Sequence, residues 1–223
     1  MIHSKDFVDW LEAFGVDFYA GVPDSLLKPV CFYLADHAGD KHVVAANEGG
    51  AVALACGSHL ATGKVPLVYL QNSGQGNTIN PLLSLADRDV YGIPLLLLIG
   101  WRGEPGTKDE PQHVKQGNVT VNLLDAIDIP HRVLAREPEA ARRCVTELLG
   151  IAAAESRPVA LLVRTETFES YTPTVQATHN FEMTREDAIE AVVAALGESD
   201  AIVSTTGKLS RELYECRDRA GQG

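Results

Sequence analysis

The chain has 223 residues, 45% of them hydrophobic, and a formal net charge of −11, enough apolar material for one domain or for one domain and part of another. Its acidity argues against nucleic acid or an anionic membrane as the main partner, and the apolar run 93–99 contains Pro94 and is too short to span a bilayer. The first residues hold no secretory apolar core. Cys31, Cys56, Cys144 and Cys216 form no C-x-x-C pair, so a cytoplasmic location is expected, without a disulfide frame or a zinc site.

In chain order, Ser4 is expected to cap a helix with Phe7, Trp10, Leu11 and Phe14 on one face, stopped by Gly15. A strand over 17–20 then turns through Gly21-Val22-Pro23-Asp24-Ser25 into a helix from about Ser25. The strand over 42–46 leads into a small-residue helix, Gly49-Gly50-Ala51-Val52-Ala53, that runs to Gly63. The strand over 66–70 is followed by the turn Gln71-Asn72-Ser73-Gly74-Gln75-Gly76 and a helix to about Ala86. The strand over 93–99 leads into a polar loop from Trp101 to His113 and a helix to about Asp125. A strand at 131–134, a helix at 138–154 and a strand at 159–163 complete the series. Continuous apolar strands alternating with helices predict an α/β fold, a doubly wound parallel sheet covered on both faces.

Residues 166–183 are polar, contain Pro173 and read as a linker between a first domain, 1–165, and a second segment, 184–223. Thr184-Arg185-Glu186-Asp187 opens a helix there. A strand at 201–204 and a further helix from Ser210 are expected to follow. These elements are too few to close a core, so the segment reads as the truncated start of a second α/β domain.

Ligands of such sheets bind where loops leave the carboxyl ends of the strands. That geometry gathers Asp24, Ser25, Glu48, Gln71, Asn72 and the 101–113 loop. Glu48 stands at a strand-to-helix junction, where a carboxylate can be tuned as a proton donor or acceptor; alternatively, Asn47 is the N-cap and Glu48 complements the helix dipole. Asp24 and Ser25 admit two readings, as polar groups facing a ligand or as a helix cap. His113 could relay protons, and Arg102, Lys108 and Lys115 could offset an anionic ligand's charge. Nucleotide, zinc-hydrolase and serine-hydrolase motifs fail: Ile202 stands where a phosphate loop ending in Gly207-Lys208 needs glycine, and there is no H-E-x-x-H or G-x-S-x-G.

The stretches Gly21-Val22-Pro23-Asp24-Ser25, Asn47-Glu48-Gly49-Gly50-Ala51 and Gln71-Asn72-Ser73-Gly74-Gln75-Gly76-Asn77 resemble the thiamine-diphosphate-dependent decarboxylases. Gly100-Trp101-Arg102-Gly103-Glu104-Pro105-Gly106, continuing to Lys108-Asp109-Glu110-Pro111-Gln112-His113, resembles their phosphono- and sulfopyruvate branch. The resemblance implies a pyrimidine-binding domain in which Glu48 bonds the cofactor's aminopyrimidine and controls its proton transfers, the catalytic role. Val22, Pro23, Asn72 and Asn77 would also bind the cofactor, with Asp24, Ser25, Gln71, Lys108 and His113 on the substrate side. It further implies thiamine diphosphate with Mg2+, whose metal and diphosphate ligands are expected beyond residue 223, and a homo-oligomer with the cofactor at the subunit interface. The implied reaction converts 3-phosphonopyruvate to phosphonoacetaldehyde and CO2 in phosphonate biosynthesis, with sulfopyruvate decarboxylation or a non-catalytic thiamine-binding subunit as the alternatives.

Overall fold

Leu95-Leu96-Leu97-Leu98-Ile99 has no polar side chain to turn toward water, so a strand made of it must be covered on both faces. The computed structural model, which describes residues 1–174, 181–197, 199–205 and 207–221, satisfies that demand. It divides into two compact units, Met1–Val175 and Gln176–Gly223.

In the first unit, β1 (Tyr19–Gly21), β2 (His42–Val44), β3 (Leu67–Gln71), β4 (Leu95–Gly100), β5 (His131–Val133) and β6 (Pro158–Val163) form one sheet in the order β2-β1-β3-β4-β6-β5. All neighbours are parallel. Successive side chains point to opposite faces, and the core divides accordingly. Tyr19, Leu67, Tyr69, Leu96, Leu98, Leu161 and Val163 pack on one face against Phe7 and Leu11 of α1 (Ser4–Ala13), Leu34 of α2 (Lys28–His37) and Leu148 of α6 (Pro138–Glu155). Ala20, Val68, Leu70, Leu95, Leu97, Ile99 and Leu162 pack on the other, against Val52 and Ala55 of α3 (Glu48–Thr62) and Leu124 of α5 (Pro111–Ala126). Every residue of β4 and β6 is buried, each Leu contributing about 1.5–3 kcal/mol of transfer free energy.

The chain leaves β1 toward β2 at one edge, then returns across to β3 on β1's other side. That reversal opens a crevice at the carboxyl ends of β1 and β3. It sets the place of the site.

Local chemistry moves several boundaries. α2 begins at Lys28, because the Asp24 carboxylate accepts from the backbone N–H of Leu26 (2.8 Å) and Leu27 (3.2 Å) and holds a turn first. Ser4 is not the cap of α1. His3 takes that position without a side-chain bond, since the backbone of Ile2 pairs with Thr167 and Glu169 and holds the entry extended, which leaves Ser4 buried inside the helix. Phe14 falls at the C-cap and is partly exposed. The helix expected to reach Ala86 changes at Pro81: α4 (Gln75–Pro81) gives way to a wider π turn over Leu82–Ala86, as proline lacks the amide that continues an α ladder.

Residues 167–174, the first part of the expected linker, run along the first unit. Phe168 is buried edge-on to Phe7, the Tyr171 hydroxyl donates to Asp36 at 2.9 Å, and Thr174 N–H donates to the same carboxylate at 2.7 Å. Residues 175–180 of that linker lie outside the described residues.

The second unit holds α7 (Arg185–Ala195) and α8 (Lys208–Arg219). Thr184 and Asp187 form the reciprocal capping box that starts α7. Ile189, Val193 and Cys216 make a small apolar cluster with Ile202, Leu209 and Leu213. The strand expected at 201–204 is absent: these residues have no regular structure, and Val203 is 97% exposed. A strand needs a neighbour to take its backbone hydrogen bonds, and none is described beside it.

Two glycines make the packing testable. A Cβ at Gly117 of α5 would overlap the Gly103 carbonyl, whereas one at Gly150 of α6 would meet nothing. Gly117→Ala is expected to lower stability by about 1–3 kcal/mol, and Gly150→Ala to raise it by about 0.5–1 kcal/mol. Urea unfolding of both variants checks this pair, and equal effects would show that the 101–104 loop does not lie on α5 as described.

Candidate functional site

The site is built from the loops at the carboxyl ends of β1, β2, β3 and β4. Asn47 caps α3 by accepting from Gly50 N–H at 2.8 Å, which makes Glu48 the first helical residue. The N-cap expected at Asn47 is thus present. The half-buried Glu48 side chain reaches over the turn after β3. Its Oε2 accepts from Asn77 Nδ2 at 2.7 Å, and a Cβ at Gly74 would overlap its carboxylate. Gly49 serves the same approach, since a Cβ there would lie 2.7 Å from the Asn77 carbonyl. Small residues at 49 and 74 let α3 and α4 close, and that closure aims Glu48.

Val22 and Pro23 follow directly on β1, half-buried and exposed respectively, and offer an apolar wall at the crevice. Asp24 behind them is 5% exposed. Its Oδ2 makes the two backbone bonds that delay α2, and its Oδ1 has no partner. A Cβ at Gly100, the last residue of β4, would overlap the same carboxylate. Glycine there makes room for Asp24 across the end of β3. Burial pushes the Asp24 carboxyl above the usual carboxylate range, against the backbone N–H groups of Leu26, Leu27 and Ser25 and the charge of Arg102.

Arg102 ties the loop after β4 to the turn after β1. Its guanidinium forks onto Asp109, Nε to Oδ2 at 2.9 Å and Nη2 to Oδ1 at 2.6 Å, and Nη1 donates to Ser25 Oγ at 2.9 Å. Asp109 also accepts from Gly103 N–H (2.7 Å) and Glu110 N–H (2.8 Å). The Arg102 guanidinium beside it holds the Asp109 carboxyl well below the usual range. Such bidentate, charge-assisted bonds fix geometry as well as energy.

Asn72 is placed differently from the other expected cofactor contacts. It is fully buried and turned inward. Its Nδ2 donates to the Arg102 carbonyl (2.8 Å) and Thr120 Oγ1 (2.9 Å), and its Oδ1 accepts from Arg102 N–H (3.2 Å). With those positions filled, Asn72 braces the loops after β3 and β4. Gln71 spends its amide on Ser73 Oγ at 2.7 Å. Lys108 is exposed and forms no ion pair among the described residues, and His113 is half-buried, its carbonyl packed on Gly103. The structure therefore assembles Glu48 with Asn77 and Asp24 with Ser25, and it leaves Lys108 on the loop and His113 on the first turn of α5 with no hydrogen bond to either pair among the described residues. Gly74, Gly100 and Asp109 stand in the motif stretches of the sequence without an individual role, and the structure supplies one for each. An acid seven residues after Arg102 in a polar loop was the available signal for Asp109; nothing local marked the glycines.

Against known proteins, residues 1–126 match the model of the thiamine pyrophosphate enzyme N-terminal TPP binding domain. The chain is 35% identical to a phosphonopyruvate decarboxylase of Streptomyces hygroscopicus, over 98% of this chain and 58% of that protein. It is 35% identical to a sulfopyruvate decarboxylase subunit alpha of Methanothermobacter thermautotrophicus, over 67% of this chain and 87% of that subunit. Among solved structures, benzoylformate decarboxylase from Polynucleobacter necessarius shares the fold, with a TM-score of 0.57 at 20% identity over 86% of this chain and 35% of that one. The chain thus spans about 58% of the length of the phosphonopyruvate decarboxylase it matches.

The sign of the Asp109 effect can be tested with pH. A carboxyl depressed by folding contributes stability that is full above the unfolded value, about pH 4, falls below it, and is lost once pH drops through the folded value. Asp109→Asn is expected to lower the urea midpoint at about pH 6 and to lose that effect progressively below pH ~4. A deficit that does not change with pH would mean that the Asp109 charge does not hold the loop.

Proposed function

Because the chain belongs to the thiamine pyrophosphate enzymes through their N-terminal TPP binding domain, we propose that it is the pyrimidine-binding part of a phosphonopyruvate decarboxylase, converting 3-phosphonopyruvate to phosphonoacetaldehyde and CO2. The observation that carries the reading is Glu48: a carboxylate at the start of α3, on the carboxyl edge of the sheet, oriented by Asn77 and seated on Gly74. The likeness to the Streptomyces protein across 98% of the chain supports the choice of substrate.

The residues fit the pyrimidine half of the cofactor. Val22 and Pro23 supply an apolar wall after β1, Glu48 a carboxyl group after the neighbouring strand β2, and Gly49 and Gly74 the space a side chain would fill. When bound, thiamine diphosphate supplies the electron sink that lets CO2 leave a 2-oxo acid. Glu48 holds and returns a proton at the pyrimidine nitrogen, and Asn77 fixes its carboxylate while it does so. Asp24, with Ser25, stands on the substrate side, and the Arg102–Asp109 pair keeps the 101–110 loop against it. Lys108 on that loop and His113 on the first turn of α5 are the residues available to an arriving phosphonate. Asn72 serves the cofactor site by bracing rather than by touching it. The same reading assigns the ligands for Mg2+ and the diphosphate to another part of the enzyme.

The same reading divides the chain into a pyrimidine-binding domain over 1–165, a connecting segment over 166–183 and the start of a diphosphate-binding domain over 184–223. It also makes the enzyme a homo-oligomer. The outward face of α3 supports this: Ala53, Leu54, Gly57 and Leu60 are exposed and carry no charge, as a helix would that receives a second subunit near the cofactor. The reading places the enzyme in the cytoplasm; separately, no helix of the described residues is long and apolar enough to cross a membrane. A sulfopyruvate substrate is the second reading, favoured by the 87% of the archaeal subunit that the chain covers.

Kinetics of the enzyme containing this chain, supplied with thiamine diphosphate and Mg2+, separate these. Its kcat/KM is expected to be at least about 100-fold higher for phosphonopyruvate than for pyruvate, because the distal anion positions the keto carbon, and higher than for sulfopyruvate. Equal values for phosphonopyruvate and pyruvate would overturn the assignment; a preference for sulfopyruvate would select the second reading. In the same enzyme, Glu48→Gln is expected to leave the circular dichroism unchanged and to lower kcat by about 100-fold or more. Wild-type turnover in that variant would remove Glu48 from the mechanism.

A further inference from the structure

We propose that Arg102 and Ser25 together form the seat for the distal anion of the substrate, a tetrahedral phosphonate or sulfonate on a short 2-oxo acid. The inference rests on the decarboxylase reading and names the residues that select among its substrates. Arg102 follows β4 and Ser25 follows β1, with β3 between those strands. The 2.9 Å bond from Arg102 Nη1 to Ser25 Oγ therefore spans the carboxyl end of β3. Glu48 follows β2, on the far side of β1. A substrate lying along this edge points its reacting end toward Glu48 and its far end toward Arg102.

Both residues keep donors to spare. Of the guanidinium's N–H groups, Asp109 takes one from Nε and one from Nη2, and Ser25 takes one from Nη1. Nη1 and Nη2 each retain an N–H with no acceptor among the described residues. Ser25 Oγ is the acceptor in its bond with Arg102, so its own O–H remains to donate, and the residue is exposed. These spare hydrogens include two on atoms 2.9 Å apart, close enough to meet neighbouring oxygens of one tetrahedral anion. The seat is held from behind. Asn72 is fully buried and bonds both main-chain polar atoms of Arg102, while Thr120 and Gln116 bond Asn72. Asp109 fixes the plane of the guanidinium and offsets its charge, so selection comes from placed, charge-assisted hydrogen bonds more than from net charge. Pyruvate, with a methyl group at that end, gains no bond from these donors.

The test uses the enzyme containing this chain, with thiamine diphosphate and Mg2+, and the variants Ser25→Ala and Arg102→Gln. KM for phosphonopyruvate is expected to rise about 10-fold in Ser25→Ala and about 100-fold in Arg102→Gln, as for lost hydrogen bonds to a charged group. In both variants kcat/KM is expected to fall about 5-fold or more further for phosphonopyruvate than for pyruvate. Binding of 3-phosphonopropionate, which carries both anionic ends and no keto group, is followed by 31P NMR titration and is expected to weaken by the same factors as KM. A role confined to bracing the loop lowers both substrates alike. Equal losses for the two substrates, or an unchanged affinity for 3-phosphonopropionate, would overturn the proposal; if Arg102→Gln does not fold, the exposed Ser25→Ala decides it. Wild-type preference for phosphonopyruvate without a selective loss in the variants would remove the seat and leave the decarboxylase reading. Wild-type preference for sulfopyruvate would change the substrate and leave the seat, with the selective loss then expected for sulfopyruvate.

Discussion

A parallel strand covered on both faces has no solvent along its length, so each of its backbone amides and carbonyls must be paired within the sheet. The central strands β3, β4 and β6 meet this condition with continuous parallel registers and apolar side chains on both sides. Polar chemistry is thereby expelled to the strand ends. The reversal of strand order at β1 and β3 then decides which end loops part to leave a crevice. The residues assigned a catalytic, cofactor or substrate role lie on the loops after β1, β2, β3 and β4 or on the first turn of a helix that leaves them.

Placing charged and amide groups at the rim of such a core is costly unless they are satisfied. The structure meets the cost with a connected network. Asn72 fixes the main chain of Arg102, Thr120 supports Asn72, Gln116 donates to the Asn72 carbonyl at 2.9 Å, and Asp109 closes the loop on the guanidinium. Trp101 adds a bond from its indole N–H to the Gly117 carbonyl at 3.0 Å. The loop after β4 is thus an ordered part of the site, held from the sheet on one side and from α5 on the other. Among the described residues, Asp24 Oδ1 and Gln75 Oε1 are buried polar atoms left without a partner at this rim.

The acidity of the chain and an anionic substrate are compatible for the same reason. Charges more than about 8–10 Å apart are screened at physiological salt, so the groups near the crevice matter more than the total of −11. Near the crevice, Arg102 is matched by Asp109 and the exposed Lys108 has no ion-pair partner among the described residues.

Much of this protein was legible in its sequence. Period and composition determine the six strands, the parallel sheet and the helices between them, because an apolar run such as Leu95–Ile99 can be stable only as a doubly covered strand. The placement of polar residues after those strands determines which side chains gather at the carboxyl edge, and the junction before Gly49 points to Glu48. Tertiary structure decided what each of them faces. Asn72 reads as a turn residue yet is buried, because its amide matches the backbone of Arg102, 30 residues away. Gly74 and Gly100 read as ordinary turn and strand-end glycines, yet each leaves space for a carboxylate delivered by another element. Ala201–Ser204 has the composition of a strand but no neighbouring strand among the described residues to pair with. Local sequence encodes preference and period, while a side chain's partner depends on segments brought together only when the sheet forms.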